Sequence, residues 1–185
     1  MNYLRAQALN NLWANHRLLS SCARLDEEEY RAHRTGFFPS IQATLCHILE
    51  VDAYYYAALI GDLPGQDAEP PAGLAFYELH TRQTLQDRAL LDFCTRLGPS
   101  DADRTVRLIR TEGEVQERID AILLHLFEHQ IHHRGQVHCM LSGTTVSPPQ
   151  LDEFFLQADE RFRRQDMVEL GLPNGRPDNL SEPIA

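Results

Sequence analysis

Residues 125–138 read His125-Leu-Phe-Glu-His129-Gln-Ile-His132-His133-Arg-Gly-Gln-Val-His138 and hold five of the nine histidines of the chain. Residues four apart on a helix share one face, with Cβ atoms about 5–6 Å apart. Two imidazoles at that spacing can bind one divalent ion at Zn–N distances of about 2.0–2.1 Å. Because each buried imidazole needs partners for its ring nitrogens, this density of histidines predicts a metal-binding segment.

The periodicity around this stretch predicts a long helix from about Arg118 to Leu141. Its apolar face is formed by residues at helical spacing: Ile119, Ile122, Leu123, Leu126, Val137, Met140 and Leu141. His133 lies near the centre of that face and His129 lies on its inward flank, so these two histidines are the favoured pair. Three further histidines fall at its edge or on another side: His125, His132 and His138.

A second metal-type pattern overlaps the first. His125-Leu-Phe-Glu128-His129 is an H-x-x-E-H string, the signature of a class of metalloproteases in which the glutamate is the base. Glu128 lies well off the inward stripe, which favours the H-x-x-x-H pair of His129 and His133 over this pattern. The protease and a helix whose histidines bind no metal remain as alternatives.

The third ligand is expected from another helix, because a catalytic zinc usually has three protein ligands and a water. Ser40 is a predicted N-cap for a second long helix, Ile41–Ile60, which carries His47 and Asp52. The helical wheel slightly favours Asp52, since His47 lies on the flank, although a flank residue can face a neighbouring helix. The alternative for Asp52 is a salt bridge or a hydrogen bond, for example to a ligand imidazole.

The rest of the chain predicts a mostly helical bundle. The remaining elements are a first helix over Asn2–Leu25, a Pro/Gly-rich connection over Gly61–Gly73, a third long helix over Leu74–Leu97, a short β-hairpin between Asp103 and Glu117, and a short helix over Leu151–Arg164. Residues 1–165 are thus predicted to form one bundle domain. Residues 166–185, with Pro173-Asn-Gly-Arg-Pro177, are predicted to be an irregular tail.

Composition excludes several classes of protein. The 185 residues are 43% hydrophobic, which suits one globular domain, and the net charge of −10 disfavours nucleic acid and anionic membranes as partners. The first residues lack a signal-peptide core, and no apolar stretch approaches the roughly 20 residues of a membrane span. We therefore expect a soluble, cytoplasmic protein. Its scattered cysteines are expected to be reduced and mostly buried: Cys22, Cys46, Cys94 and Cys139.

Two segments resemble the signatures of the DinB/YfiT-like family of metalloenzymes. They are Ser40-Ile-Gln-Ala-Thr-Leu-Cys-His47-Ile-Leu-Glu-Val-Asp52 and His129-Gln-Ile-His-His133-Arg-Gly-Gln136, and Trp13-Ala-Asn15 is similar to the first helix of that family. The resemblance covers roughly residues 1 to 165. It implies an all-α four-helix bundle with up-down-down-up connectivity. It also implies a divalent metal, often nickel or zinc, held by three histidines, which in this chain are His47, His129 and His133.

The resemblance also implies a class of activity. Some members of the family transfer or isomerise substrates with low-molecular-weight thiols, so a metal-dependent transferase, or a hydrolase, is the expected function. An ion with an open position can lower the pKa of water or stabilise a thiolate. Glu50, Asp52 and Gln136 are candidates for the pocket or for contacts to the ligands, and the sequence identifies no general base.

Two further expectations concern partners. A non-catalytic, stress-linked module that binds a metal or a small ligand would use the same three histidines. The apolar patch of Leu124, Phe127 and Ile131 predicts either packing beneath the hairpin or the short helix, or a homodimer interface, which is common in relatives.

Overall fold

A computed structural model of the protein describes residues 3–62, 73–98 and 100–173. The elements are α1 (Tyr3–Cys22), α2 (Glu27–Arg31), α3 (Ile41–Ile60), α4 (Phe76–Arg96), β1 (Thr105–Arg110), β2 (Gly113–Arg118), α5 (Ile119–Leu141) and α6 (Glu160–Glu169), with a 3₁₀ turn over Gln157–Asp159. The predicted mostly helical fold with one hairpin is confirmed. The central part of the predicted Pro/Gly connection, residues 63–72, lies outside the described residues.

The four long helices pack side by side. Helix α1 contacts α4 and α5, and α3 contacts the same two helices. Their apolar side chains form two buried clusters, one around Trp13 and Leu126 and the other around Leu18 and Val137. Each helix contributes to both clusters and carries buried polar residues at the level between them. The interior is therefore apolar at both ends and polar in the middle.

Both ends of helix α3 are capped. The Ser40 hydroxyl accepts a hydrogen bond from the backbone N–H of Ala43 (3.0 Å), which satisfies one of the free donors of the first turn. Gly61 ends the helix with φ +75°, a left-handed conformation that glycine adopts without steric strain. Between these caps, His47 lies two turns from the start of the helix.

The hairpin lies against α3. Strands β1 and β2 are antiparallel, with Thr105 opposite Arg118 and Arg110 opposite Gly113. Leu108 on β1 is fully buried in the core, and the Tyr54 hydroxyl on α3 donates a hydrogen bond to the carbonyl oxygen of Ile109 (2.7 Å). The hairpin is thereby attached to the helix that carries His47.

The predicted short helix over Leu151–Arg164 is wrong at both ends. Helix α6 begins at Glu160, because the segment after Pro148-Pro149 is irregular and inserts Phe154 into the core instead of forming a helix. It ends at Glu169, so residues 166–169 of the predicted irregular tail are helical. Three apolar residues at its end are buried: Met167, Leu170 and Leu172. Residues 174–185 of that tail lie outside the described residues.

The predicted apolar patch on α5 is also corrected. Phe127 is 4% exposed and belongs to the core, whereas Leu124 and Ile131 are 59% and 48% exposed. A residue on the edge of a helix face can turn into the core when two neighbouring elements cover it. Here the core cluster that includes Phe127 also contains Phe154 and Met167, from the segments after α5.

Candidate metal centre

Three imidazoles from two helices converge beside the polar middle of the bundle. His47 on α3 and His129 and His133 on α5 have ligand atoms that all lie within 4.8 Å of one another. The Nε2 atoms of His47 and His129 are 3.0 Å apart. Two nitrogens bound to one ion at about 2.0–2.1 Å are separated by about 2.9–3.4 Å, so this pair already has the spacing of two ligands.

The packing of the two helices produces this convergence. His129 and His133 are one turn apart on α5, and α3 packs against that face. The three rings form a triangle: the His47 centroid lies 4.9 Å from that of His129 and 4.8 Å from that of His133, and the last two are 4.4 Å apart. The side chains therefore face one another across the interface between the helices.

The electrostatics favour neutral rings, which is the form that binds metal ions. Burial, followed by repulsion from His133 and His47, lowers the pKa of His129 to about 3. Burial is also the main cause that lowers the pKa of His47 and that of His133. Their nitrogen lone pairs are therefore available at neutral pH, and the donor set fits a divalent ion such as zinc or nickel.

Gln136 orients His133. Its Oε1 lies 3.0 Å from Nδ1 of His133, and its Nε2 lies 2.9 Å from Nε2 of His132. An amide nitrogen can only donate, so His132 accepts that bond, and the amide oxygen accepts from the N–H at Nδ1 of His133. This tautomer leaves Nε2 of His133 unprotonated, so Gln136 contacts a possible ligand imidazole.

Two further side chains border the cluster. The ring of Phe38 packs against His47 at a tilt of 34°, with centroids 4.4 Å apart, and its centroid lies 5.6 Å from that of His133, so it covers these two rings on one side. Glu50 has a carboxylate oxygen 4.0 Å from Nδ1 of His47, and its side chain is 46% exposed. Glu50 is thus a solvent-accessible carboxylate close to His47, one of the possible ligands.

Asp52 lies apart from the cluster. Its side chain is 1% exposed, and the Nε2 groups of Gln83 (2.7 Å) and Gln130 donate hydrogen bonds to its Oδ2. Burial and repulsion by Asp87 raise its pKa well above the ordinary value. The structure therefore brings His47, rather than Asp52, into the group of possible ligands.

Asp52 belongs to a set of seven buried polar residues that we call the polar layer: Asn11, Asn15, Asp52, Gln83, Asp87, Gln130 and Arg134. They come from all four long helices and separate the two apolar clusters. Arg134 donates to side-chain amide oxygens of Asn11, Asn15 (3.2 Å) and Gln130 (3.1 Å). The amide nitrogens of Asn11 and Asn15 in turn donate to Asp87 at 2.9–3.1 Å.

In the polar layer, amide groups connect the buried Arg134 to the buried Asp87. The layer lies next to the candidate metal ligands. Gln130 and Arg134 directly follow His129 and His133 along α5, so the same helix rotation that buries the layer aims the two histidines at α3. Sequence reasoning missed this layer. The signal was present as polar pairs at i,i+4 spacing within apolar helices, such as Asn11 with Asn15 and Gln83 with Asp87.

An open pocket adjoins the histidine cluster. Its volume is about 570 Å³, within the usual range for sites that bind small molecules. Residues of α3, β1 and α5 line it, among them His47, Glu50, Tyr55, Arg110, His125 and His129. The imidazoles of His47 and His129 thus border both the cluster and a space large enough for a substrate.

The H-x-x-E-H arrangement does not form a site. The ring of His125 lies 6.4 Å from that of His129 and 5.1 Å from that of Tyr55, and Glu128 is exposed. In the part of the chain that the structure describes, the group of possible ligands contains neither residue. The cysteines offer no alternative ligand set: Cys22, Cys46 and Cys94 are buried, and Cys139 is exposed.

The comparison with known proteins agrees with the resemblance. The model of the DinB family matches residues 2–166, so the chain belongs to the DinB family. No curated protein matches the sequence. Over the described residues, no helix is long and apolar enough to span a lipid bilayer. The fold, the histidine triad and the family together define a helical protein with a possible metal site.

Proposed function

We propose that this protein is a metal-dependent enzyme, with a divalent ion, nickel or zinc, held by His47, His129 and His133. The single observation that carries the proposal is the convergence of three neutral imidazoles from two helices at the edge of an open pocket. Three protein ligands with a pocket alongside are the arrangement of a catalytic site, whereas a structural site has four protein ligands.

The chemistry that we propose is a thiol-dependent transfer. A divalent ion bound there supplies Lewis acidity, which lowers the pKa of a thiol or water that it binds. Glu50 lines the pocket beside His47 and is the group that we assign to accept the proton. Phe38 covers the other side of the rings and keeps water away from them. A hydrolase would use the same residues with water in place of the thiol.

Metal binding tests the first half of this proposal. We expect the chain, freed of metal with a chelator, to bind zinc or nickel at one ion per protein. His133→Ala should lower the affinity at least about 100-fold, because it removes one of three ligands. His125→Ala is the matched control, since His125 lies on the same helix outside the cluster. Loss of metal in His125→Ala with retention in His133→Ala would exclude the proposed ligand set.

Turnover tests the second half. The metal-loaded protein is assayed with thiol-conjugation substrates and with hydrolysis substrates, in parallel with the metal-free protein and with Glu50→Gln. We expect thiol conjugation that depends on metal and falls in Glu50→Gln. Bound metal with no turnover in either panel would instead identify a non-catalytic metal- or ligand-binding module.

The remaining features belong to the same proposal. We propose the up-down-down-up connectivity of a four-helix bundle, supported by the packing of α1 and α3 against α4 and α5. The exposed Leu124 and Ile131 on α5 support a homodimer, which sedimentation of the purified protein would test against a monomer. The net charge of −10 argues against a nucleic acid as partner, and we propose a small-molecule substrate and a cytoplasmic location.

A further inference from the structure

We infer that the pocket beside the histidine cluster binds an elongated molecule with a carboxylate at one end. The carboxylate pairs with Arg110, and the other end reaches His47 and His129. This inference names a class of substrate for the proposed enzyme. It rests on the proposed function only for the metal ion at the histidine end of the pocket. It assigns a class of substrate, an acid whose reactive group is remote from its carboxylate.

The strand places Arg110 on the inner face of the hairpin. Side chains alternate along a strand, so Arg110 shares a face with Leu108, which is fully buried against the core. Arg107 lies on the opposite face and pairs with Glu114 across the hairpin (3.4 Å). Arg110 therefore points toward α3 and lines the pocket, whereas Arg107 does not.

The guanidinium of Arg110 is held in place by two tyrosines, with a longer-range attraction from Glu117 and no carboxylate within ion-pair distance among the described residues. One of its Nη atoms donates to the Tyr55 hydroxyl (3.0 Å), and its Cζ lies 5.7 Å and 5.5 Å from the ring centroids of Tyr54 and Tyr55. Within residues 3–62, 73–98 and 100–173, no acidic group forms an ion pair with it. A guanidinium has five N–H donors in a fork that matches a carboxylate, so most of them remain for a ligand.

The two ends of the pocket differ in charge. Glu50 stands beside His47 and would repel a carboxylate there, whereas Arg110 attracts one at the tyrosine end. The ligand therefore has one preferred orientation, with its acid group away from the histidines.

The length of the pocket follows from the helix that forms its floor. His47 and Tyr55 are eight residues apart on α3, which corresponds to about 12 Å at 1.5 Å per residue. The Arg110 side chain projects into this span, and an ion held by the histidines would shorten it further, so we expect a ligand with roughly 8–10 Å between its two functional ends.

A series of mercapto acids measures this span. Cobalt-loaded protein is titrated with mercaptopropionate, mercaptohexanoate and mercaptooctanoate, and with the alcohol of each length. The thiolate-to-cobalt absorption band reports binding of the sulfur without any turnover. The two longer acids, with roughly 7–10 Å between sulfur and carboxyl when extended, should bind at least about tenfold more tightly than their alcohols. Mercaptopropionate is too short, and it should bind no better than mercaptopropanol.

Three variants at two arginines distinguish binding in the pocket from a general effect of charge. Arg110→Gln should abolish the difference between acid and alcohol, and Arg110→Lys should retain part of it. Arg107→Gln is the matched control on the outer face of the same strand, and it should retain the full difference. Equal binding of acids and alcohols by the wild-type protein, or equal effects of Arg110→Gln and Arg107→Gln, would overturn the inference.

A parallel experiment on metal-free protein distinguishes failure of this inference from failure of the proposed function. If the histidines bind no cobalt, the proposed function fails, and hexanoate and hexanol are titrated into the metal-free protein with NMR chemical shifts as the readout. Tighter binding of hexanoate that is lost in Arg110→Gln would still support the acid site. Equal binding of the two compounds would refute it.

Discussion

Replacing Arg134 with methionine tests the polar layer that supports the histidine pair. The Arg134 side chain is 5% exposed and donates to three side-chain amide oxygens, while Asp52 and Asp87 are buried in the same layer. Methionine fills a similar volume and carries no charge. Near pH 8, where Asp87 is ionised, the variant leaves this buried carboxylate without a compensating cation, which costs about 3–5 kcal/mol of unfolding free energy.

The cost depends on pH through the two carboxyl groups. Burial raises the pKa of Asp87 to about 7 and that of Asp52 well above its ordinary value. A carboxyl with a raised pKa holds a proton in the folded state that the unfolded chain releases, so stability falls as pH rises from about 4 to about 7. Near pH 5 Asp87 is protonated in the folded variant, and the raised pKa of Asp52 acts in the same direction. The loss then shrinks to that of unpaired acceptors, about 1–3 kcal/mol.

Urea denaturation at the two pH values measures this difference. Trp13, the single tryptophan of the chain, is fully buried and reports unfolding by fluorescence. Metal-free protein is used, and subtracting the wild-type value at each pH removes the contribution of the histidines. Arg107→Met, at an exposed surface pair, should change stability by less than about 0.5 kcal/mol. A loss for Arg134→Met that is equal at both pH values would refute the reasoning.

Three other predictions follow from the site and the fold. Gln136→Leu should lower metal affinity about 10–100-fold, because His133 loses the partner of its Nδ1, and Gln136→Glu should restore most of it in a chelator competition; equal affinities for both variants would contradict this role. Zinc at 100 times the wild-type dissociation constant should add about 2.7 kcal/mol to the unfolding free energy of the wild type, but at most about 0.4 kcal/mol to that of His133→Ala. A chain that ends at Gln165 should lose roughly 5 kcal/mol in a denaturant titration, because three buried side chains are removed: Met167, Leu170 and Leu172. Unchanged stability of the shortened chain would place the domain boundary at residue 165.

The sequence was sufficient to predict features that depend on a single helix or hairpin. Histidines one turn apart on an apolar face had to lie at the interior edge of α5, and the structure places His129 and His133 there. Ser40 marked the start of α3 as an N-cap, and the Pro/Gly-rich connection that begins at Gly61 marked its end. In each case the evidence lies within a few residues of the position concerned.

Features that depend on how helices and strands pack together could not be predicted from the sequence in the same way. A helical wheel ranked Asp52 above His47 because it shows only the inward face of α3, whereas the ligand position depends on where α5 crosses it. Asp52 has partners from α4 and α5 that no local pattern identifies. Arg110 was recognisable only as a charged residue on the buried face of a strand, which requires knowing that Leu108 faces the core.

Diffraction data collected at the absorption edge of the bound metal would test the central claim most directly. Crystals of protein grown with zinc or nickel should show one anomalous peak within about 2.0–2.2 Å of a ring nitrogen from each of His47, His129 and His133. A well-ordered crystal structure with no peak between these rings, or with the ion bound by His125 and His129 alone, would contradict it.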